Sequence, residues 1–198
     1  MLLRTYQKMV DVFKKHNGYM SFAMLKEVGI SVLQIREMER EQLVHRFARG
    51  WYWCNECGIK RPENHKYIEI AMANPNAIIC MQSAAYLHGI VQEEPKQIQV
   101  ATARTDRKKM EFDDPIKRFY LQNAVIDGEI EVIHTEFGDY KVYSIERTIC
   151  DCLRMKEHLE ESVYWEVVDY YKNREEQLVR VKQYAKALRA LKNVMVDR

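Results

Sequence analysis

The stretch from Gly18 to Trp53 reads GYMSFAMLKEVGISVLQIREMEREQLVHRFARGWYW, and its turn signals determine the fold expected for the N-terminal part. Ser21 is placed to cap a short helix, which Gly29 closes with a tight corner. Ser31 is placed to cap a second helix that runs to roughly Gln42. The stretch therefore predicts two short helices joined by a sharp turn.

Two strands are expected directly after these helices. Val44–Phe47 and Trp51–Trp53 are apolar and aromatic runs, and Arg49 and Gly50 lie between them, with Gly50 suited to the positive φ of a hairpin turn. An amphipathic helix over Arg4–Lys15 precedes the whole stretch. This order is that of a winged helix-turn-helix, in which the second helix enters the DNA major groove.

If the stretch binds DNA, the early residues of its second helix are the candidate base readers. Gln34 can pair with adenine and Arg36 with guanine. Val32 or Leu33 can meet thymine methyl groups. Two hairpin arginines provide cations for phosphates. The predicted DNA-contacting residues are Ser31, Val32, Leu33, Gln34, Arg36, Arg40, Arg46 and Arg49.

A non-DNA interpretation of the same stretch stays open. Small helical units with a hairpin also occur as protein-interaction modules. Val32 and Leu33 are apolar where polar base readers are usual, so they also fit a helix that is buried on two sides. DNA binding is the favoured interpretation because the element order, the short turns and the cationic hairpin coincide.

The charge distribution supports a DNA-facing front part. The net charge of the 198 residues is only +2. Residues 1–61 contain eleven Lys and Arg and six Asp and Glu, and the remainder contains twenty and twenty-three. The front part is therefore basic and the back part mildly acidic, as expected for a DNA-binding module joined to a second module.

The composition, with 47% apolar and 30% charged residues, is that of an ordinary soluble globular protein, and the location expected from the cysteines described next is cytoplasmic. No apolar run is long enough to cross a bilayer, and the N-terminus turns polar too soon for a secretory signal. Five cysteines, an odd number, indicate free thiols in a reducing compartment. No membrane partner is expected.

The pair Cys54 and Cys57 has C-x-x-C spacing, which a zinc site can use. A structural zinc site needs four ligands, and none of the remaining candidates has good spacing: these are His65, Cys80, Cys150 and Cys152. A redox role would need a thioredoxin-like context, which is absent. We therefore expect unpaired thiols and no metal.

A domain boundary is expected at the polar, proline-containing segment Lys60–His65. This gives a winged helix-turn-helix over residues 1–61 and a mixed α/β domain over residues 62–198, a small sheet plus helices that ends in a helical segment. The fold class is α+β. The elements expected in the second domain are helices over Lys66–Ala73 and Ala77–Leu87, strands over Gln97–Ala103, Ile116–Leu121, Ile130–Thr135 and Lys141–Ser144, and helices over Ser144–Met155, Glu160–Tyr171 and Glu175–Leu191.

Two segments of the second domain resemble a known family. Ser83–Ile90 reads SAAYLHGI and Ser144–Leu153 reads SIERTICDCL. With the N-terminal stretch, they resemble the AbiEi-like antitoxins of bacterial type IV toxin–antitoxin systems. In that family a winged helix precedes an alanine-rich helix ending in His-Gly, several strands, and a helix that opens with Glu-Arg-Thr and has an Asp three residues later. The order and spacing match from Arg4 to Leu191.

This resemblance implies an antitoxin that represses its own abortive-infection operon and counters a nucleotidyltransferase toxin. The implied partner is double-stranded DNA at its own promoter, with inverted repeats as the expected operator. Members of the family do not need a stable complex with the toxin, so direct toxin binding does not follow. The alternatives are a stand-alone winged-helix regulator and a module that binds the toxin directly.

The motif residues His88, Arg147 and Asp151 also have a physical interpretation. His88 can be a functional imidazole, but a helix C-terminus favours a cation there without further function. Arg147 and Asp151 lie four residues apart on one helical face, so they can form an ion pair that holds this helix to the sheet. A structural pair is favoured over a ligand site because partly buried charges usually pair.

No enzyme signature is recognisable in the chain. It has no phosphate-binding glycine loop, no G-x-S-x-G and no H-E-x-x-H. The paired carboxylates Glu93-Glu94 and Asp113-Asp114 each precede a proline and fit solvated turns. Glu129, Glu131 and Lys141 lack a diagnostic nuclease spacing. We therefore expect no catalytic residues and no cofactor.

Overall fold

The computed structural model describes residues 3–187, which form a mixed α+β fold with two sheets, so the expected class is confirmed. The helices are α1 (Leu3–Lys15), α2 (Phe22–Glu27), α3 (Val32–Arg40), α4 (His65–Ala73), α5 (Met81–Leu87), α6 (Asn123–Ile126), α7 (Ile145–Arg154), α8 (Glu161–Lys172) and α9 (Glu175–Ala187), with a 3₁₀ turn over Lys156–His158. The strands are β1 (Tyr19–Ser21), β2 (Val44–Ala48), β3 (Trp51–Cys54), β4 (Ile78–Ile79), β5 (Ile98–Ala103), β6 (Ile116–Leu121), β7 (Ile130–Ile133) and β8 (Tyr140–Tyr143).

The chain divides into two compact units whose boundaries are not a single cut in the sequence. Within the described residues, the first unit contains 3–75 together with 108–114 and 135–138. The second unit contains 76–107, 115–134 and 139–187. The predicted division after residue 61 differs from this, because the first unit runs on to residue 75 and also contains two short segments from the middle of the chain.

The first unit packs α1, α2 and α3 against a three-stranded antiparallel sheet of order β1-β3-β2. The core holds side chains that recur with helical spacing, among them Met9, Phe13, Leu25, Ile35 and Met38. The helices and the hairpin expected from the sequence are confirmed. The short stretch at Tyr19 forms β1, which pairs with β3 at the centre of the sheet.

Helix α4 belongs to the first unit because a buried polar cluster ties it to β1. The Tyr19 hydroxyl donates to the Glu69 carboxylate at 3.0 Å, and the Arg61 guanidinium lies 2.6 Å from the same carboxylate. Burial raises the pKa of Glu69, while Arg61 opposes this shift. These contacts hold α4 against β1, and the first unit continues past residue 61 to Pro75.

The second unit is built on a five-stranded mixed sheet of order β6-β5-β4-β8-β7. The helix predicted over Ala77–Leu87 is wrong at its start, because Ile78–Ile79 forms the central strand β4. This strand pairs antiparallel with β5 and parallel with β8. Two adjacent β-branched residues suit a strand that is buried on both faces, and here long-range pairing prevails over helical continuity.

The helices of the second unit form one apolar core. Helices α7, α8 and α9 contribute Ile149, Val163, Val167 and Val181, which pack with Ala85 of α5. The four strands predicted in this part of the chain and the helices predicted over α7 and α8 are confirmed, with shifts of one or two residues at their ends. The predicted helix after Glu175 is present to Ala187, and its expected continuation to Leu191 lies outside the described residues. No helix in the described part of the chain is both long and apolar enough to cross a membrane.

Candidate nucleic-acid interface

Two capped helices position the candidate interface. The Ser21 hydroxyl accepts from the Met24 amide at 3.2 Å and starts α2. Gly29, at φ +80°, turns the chain towards Ser31, the N-cap of α3. Ile35 and Met38 of α3 are buried in the core of the first unit. Because these two side chains face the core, the opposite face of α3 points away from it.

The outward face of α3 carries most of the predicted base readers. Leu33 is 75% exposed and Val32 is 46% exposed. Arg36 and Arg40 are exposed as well. At about 100° per residue, these four side chains fall within an arc of roughly 100° on the helix. The arrangement is one continuous surface of two apolar and two cationic side chains.

Gln34 and Ser31 have a structural role at the start of this helix. The Gln34 side-chain oxygen accepts from the Ser31 amide at 2.8 Å, and the Ser31 hydroxyl accepts from the Gln34 amide at 3.3 Å. This reciprocal capping box satisfies two backbone donors. A bidentate contact from Gln34 to adenine would require its oxygen to leave the cap. The Ser-x-x-Gln spacing is the local signal from which this role could have been predicted.

Arg40 is the more neutralised of the two α3 arginines. Its guanidinium lies 3.9 Å from carboxylate oxygens of both Glu37 and Glu41. Exposed pairs at this distance are weak, so they reduce the field of Arg40 without fixing its side chain. Arg36 is therefore the stronger candidate for a guanine contact.

The hairpin tip presents a second cation. Ala48 pairs with Trp51, so Arg49 and Gly50 form a two-residue turn, and Gly50 takes φ +75°. The Arg49 side chain is exposed. This position suits a phosphate contact beside the groove that α3 would occupy.

The segment of residues 108–114, which no feature of the sequence linked to the hairpin, lies along the outer edge of β2. Ala48 forms a bridge with Phe112, and the Arg49 amide donates to the Glu111 carbonyl at 3.3 Å. Phe112 also packs against the aromatic cluster around Phe47. The segment closes a strand edge that would otherwise be free. No local sequence signal connects residues more than sixty positions apart.

This segment changes the electrostatic setting of Arg46. A cleft of about 650 Å³ beside β2 is lined by Arg46 together with the carboxylates of Glu39, Glu111 and Asp113. Asp113 also lies 3.3 Å from the imidazole of His45. Carboxylates repel phosphate, so Arg46 is a weaker phosphate candidate than Arg49.

The predicted contrast between a basic front and an acidic back is smaller in the folded units. Residues 1–75, 108–114 and 135–138 contain fourteen Lys and Arg and twelve Asp and Glu. The remaining residues contain seventeen of each, so the net charges are +2 and 0. The net charge of the first unit is lower than that of residues 1–61 because residues 62–75, 108–114 and 135–138 add more Asp and Glu than Lys and Arg. Local cations on α3 and at the hairpin tip therefore matter more than net charge.

Cys54 and Cys57 are core residues of the first unit. Both are buried, and the Cys57 thiol donates to the Cys54 carbonyl at 3.3 Å. Burial raises the pKa of Cys54 to about 12, whereas zinc binding requires the thiolate. Within residues 3–187, no three His, Cys, Asp or Glu side chains are grouped so as to hold a metal ion.

In the second unit, His88 links a helix end to the sheet. Its Nε2 lies 2.7 Å from the Tyr143 carbonyl oxygen. Because a carbonyl oxygen can only accept, Nε2 carries the proton and donates. His88 also follows the last residue of α5, and its amide bonds to the Ala84 carbonyl. The contacts give this imidazole a structural role.

The expected pair of Arg147 and Asp151 is present and buried. The Arg147 Nε donates to the Asp151 carboxylate at 2.6 Å, and Arg154 donates to the same carboxylate at 2.9 Å. The Arg147 Nη1 donates to the Val125 carbonyl and to the Tyr184 hydroxyl. The pair therefore connects α7 to α9 and to α6, as well as holding it against the sheet through the ring of Tyr143.

Comparison with known proteins gives a likeness in structure only. No protein-family model matches the chain, and no curated protein matches its sequence. The crystal structure of the Rv2827c protein from Mycobacterium tuberculosis is similar, with a TM-score of 0.63 and 12% sequence identity. The match covers 96% of this chain and 78% of that chain. The chain therefore shares its fold with Rv2827c, and the likeness extends to the fold alone.

Proposed function

We propose that the first unit is a winged helix-turn-helix that binds double-stranded DNA, and that the protein represses transcription from its own promoter. The observation that carries this proposal is the outward arc of α3, directly followed by a hairpin with an arginine at its tip. The arc offers Val32, Leu33 and Arg36 to base edges. Arg49 offers a cation to the adjacent phosphates.

We further propose that the repressor is the antitoxin of a type IV toxin–antitoxin operon and counters a nucleotidyltransferase toxin in the cytoplasm. The support is the resemblance of Ser83–Ile90 and Ser144–Leu153 to the AbiEi-like family. The proposal requires neither a catalytic residue nor a cofactor. A nucleotidyltransferase reading frame next to this gene would support the pairing, and toxin-induced growth arrest that co-expression of this protein fails to relieve would contradict it.

The test of DNA binding is a titration of the full chain with the duplex upstream of its own gene. Release of counterions from roughly four phosphates should lower the affinity about 100-fold between about 50 and 200 mM salt. Fluorescence anisotropy of a labelled duplex at both salt concentrations measures this. A folded protein that does not bind that duplex at low salt would refute the repressor proposal.

Arginine variants separate the two kinds of contact in the same assay. Arg49→Ala should weaken binding to all duplexes by a similar factor, since it removes a phosphate contact. Arg36→Ala should weaken the free energy of binding by about 1–3 kcal/mol on the cognate sequence only, and this relaxes specificity. An Arg36→Ala variant that weakens every duplex equally would show that Arg36 does not read a base.

The exposed apolar pair on α3 favours a second candidate function, direct binding of a protein such as the toxin. Replacing thymine by uracil in the duplex distinguishes a DNA contact of this apolar pair from a protein contact, because it removes only the methyl group that the pair would meet. If Leu33 meets a thymine, uracil at that position should weaken binding about fourfold, since one buried methyl group contributes about 0.8 kcal/mol. Leu33→Ala should show no further response to uracil. Full sensitivity to uracil in Leu33→Ala would exclude this contact.

A further inference from the structure

A polar cleft of about 340 Å³ lies in the second unit, near the starts of β5 and β6. The loop before β5, the first turn of α5 and the segment between α7 and α8 form its walls. Gln99 of β5 pairs in register with Lys117 of β6, so both side chains point to the same face of the sheet. Together they form the floor of the cleft, whose volume is in the range of small-molecule sites.

Gln99 is only 5% exposed, and three hydrogen bonds fix it. Its amide donates to the Ser83 hydroxyl at 2.8 Å, and its carbonyl accepts from the Cys80 amide at 3.0 Å. Its side-chain Oε1 accepts from the Gln82 amide at 2.7 Å. Because a backbone amide can only donate, the oxygen of the carboxamide must face Gln82, and the Nε2 donor must point the other way.

The Nε2 of Gln99 is a donor that the protein does not satisfy. Within residues 3–187 it has no hydrogen-bond partner, and it is not sealed from solvent. Since Gln99 lines the cleft, the small exposed part of its side chain opens there. A side-chain polar group buried to this extent normally has a partner. The fixed carboxamide therefore presents a donor to an acceptor that a ligand would supply.

Lys117 places a cation beside this donor. Its side chain is half-buried, and its Nζ lies 5.4 Å from the centroid of the Phe119 ring. Among the described residues its ammonium has no ion-pair or hydrogen-bond partner. His158, which also lines the cleft, meets the same ring edge-on at 5.2 Å. An ammonium and an amide donor side by side suit a carboxylate, which can accept from both.

The charges at the rim decide what else the ligand must carry. The ionisable side chains that line the cleft are the carboxylates of Glu93, Glu94 and Glu160, the ammonium groups of Lys96 and Lys117, and the imidazole of His158. Three carboxylates against two ammonium groups give a net charge of −1 with the imidazole neutral. Glu157, 3.9 Å from the His158 Nε2, adds another carboxylate nearby. A ligand with negative charge alone would be repelled, whereas a ligand that also carries a cation would not.

We propose that this cleft binds a free α-amino acid. The carboxylate of the ligand accepts from the Gln99 Nε2 and the Lys117 ammonium at the floor, and its α-ammonium group lies towards Glu93 and Glu160 at the rim. A phosphate ester would bring its second negative charge to the same rim carboxylates, so it fits less well. This site is independent of the proposed DNA binding.

The test is a titration of the ¹⁵N-labelled full chain with each of the standard L-amino acids at millimolar concentration, followed by NMR. At least one of them should shift the side-chain amide signals of Gln99 saturably, and the loss of these signals in Gln99→Glu identifies them. The carboxamide of the same amino acid lacks the carboxylate, and acetate lacks the ammonium group. Each should bind at least about tenfold more weakly than the amino acid itself.

Two variants remove the floor contacts. Gln99→Glu keeps an acceptor for the Gln82 amide but replaces the donor by an oxygen that would pair with Lys117, so binding should weaken at least about tenfold. Lys117→Met keeps the apolar stem and removes the charge, and it should weaken binding about fivefold. Glu160→Gln at the rim should weaken binding about twofold.

The matched control is Lys141→Met on β8, since Lys141 is also a half-buried lysine on a strand but lies outside the cleft. It should leave the affinity unchanged. Circular dichroism melts show whether each variant is folded. Absence of a shift with every amino acid, equal binding of the carboxamide, or unchanged affinity in folded Lys117→Met would each overturn the site. Acetate that binds as tightly as the amino acid would show an unselective anion site and would also overturn it.

Discussion

Replacing Asp151 by Asn is expected to lower the free energy of unfolding by about 3–5 kcal/mol, because it removes the counter-charge of a fully buried arginine. The Arg147 side chain is 0% exposed and that of Asp151 is 2% exposed. Asn has nearly the same shape as Asp, so packing changes little. The loss therefore measures the electrostatic part of the pair.

The remaining contacts of Arg147 cannot replace this charge. Its other bonds go to the Val125 carbonyl and the Tyr184 hydroxyl, which are neutral. Its Nη2 has no hydrogen-bond partner among the described residues. Burial alone would lower the pKa of Arg147, but Asp151 and the hydrogen bonds raise it above its ordinary value. Removing Asp151 takes away the main cause that raises this pKa, but the ordinary pKa of arginine is so high that Arg147 stays charged.

Urea unfolding followed by circular dichroism measures the loss. Arg154→Ala is the control, since its side chain is 31% exposed and its bond to Asp151 should contribute less than about 1 kcal/mol. The double variant Arg147→Met with Asp151→Leu should recover part of the stability, because apolar residues can replace a buried pair. Equal losses in Asp151→Asn and Arg154→Ala would contradict this account.

Gly18→Ala should destabilise the first unit by about 2–4 kcal/mol through strain and overlap together. Gly18 has φ +82°, a left-handed conformation that side chains rarely adopt. A Cβ there would overlap Cζ3 of Trp53 and lie 2.7 Å from its Cη2. The Trp53 ring is buried against Tyr19 and Phe47, so it cannot move aside without disturbing the aromatic cluster.

Gly29→Ala is the matched control for this effect. Gly29 has nearly the same φ, +80°, but an added Cβ would meet no atom within 4 Å. The Gly29→Ala variant should therefore lower the free energy of unfolding through backbone strain alone, by about 1 kcal/mol. The difference between the two variants in urea unfolding measures the contact with Trp53. If both variants lost the same free energy of unfolding, the overlap between the added Cβ and the Trp53 ring would be relieved without cost, which would contradict the prediction.

Local chemistry was sufficient to predict most of the first unit. Ser21 and Ser31 cap helices where expected, and Arg49 and Gly50 form the hairpin turn. Such signals act over a few residues, so they are readable without knowledge of the rest of the chain. The pair of Arg147 and Asp151 was predictable for the same reason, since both residues lie on one helix.

Interactions distant in sequence account for what was missed. Ile78–Ile79 became a strand because β5 and β8 lie on either side of it. Residues 108–114 joined the first unit because Phe112 pairs with Ala48 and packs among aromatic side chains. Neither contact leaves a periodic pattern in the sequence. The carboxylates that surround Arg46 were unpredictable for this reason.

The sequence by itself determined the order of two helices and a hairpin, the cations on them, and the helix that carries the buried ion pair, because caps, turns and helical spacing are local. The tertiary structure decided which of those cations are available. It placed Arg46, which is exposed like Arg36 and Arg49, among carboxylates, and it left Arg36 and Arg49 outside that acidic cleft. Solvent exposure and electrostatic environment depend on which distant segments pack together, and only the folded chain specifies that.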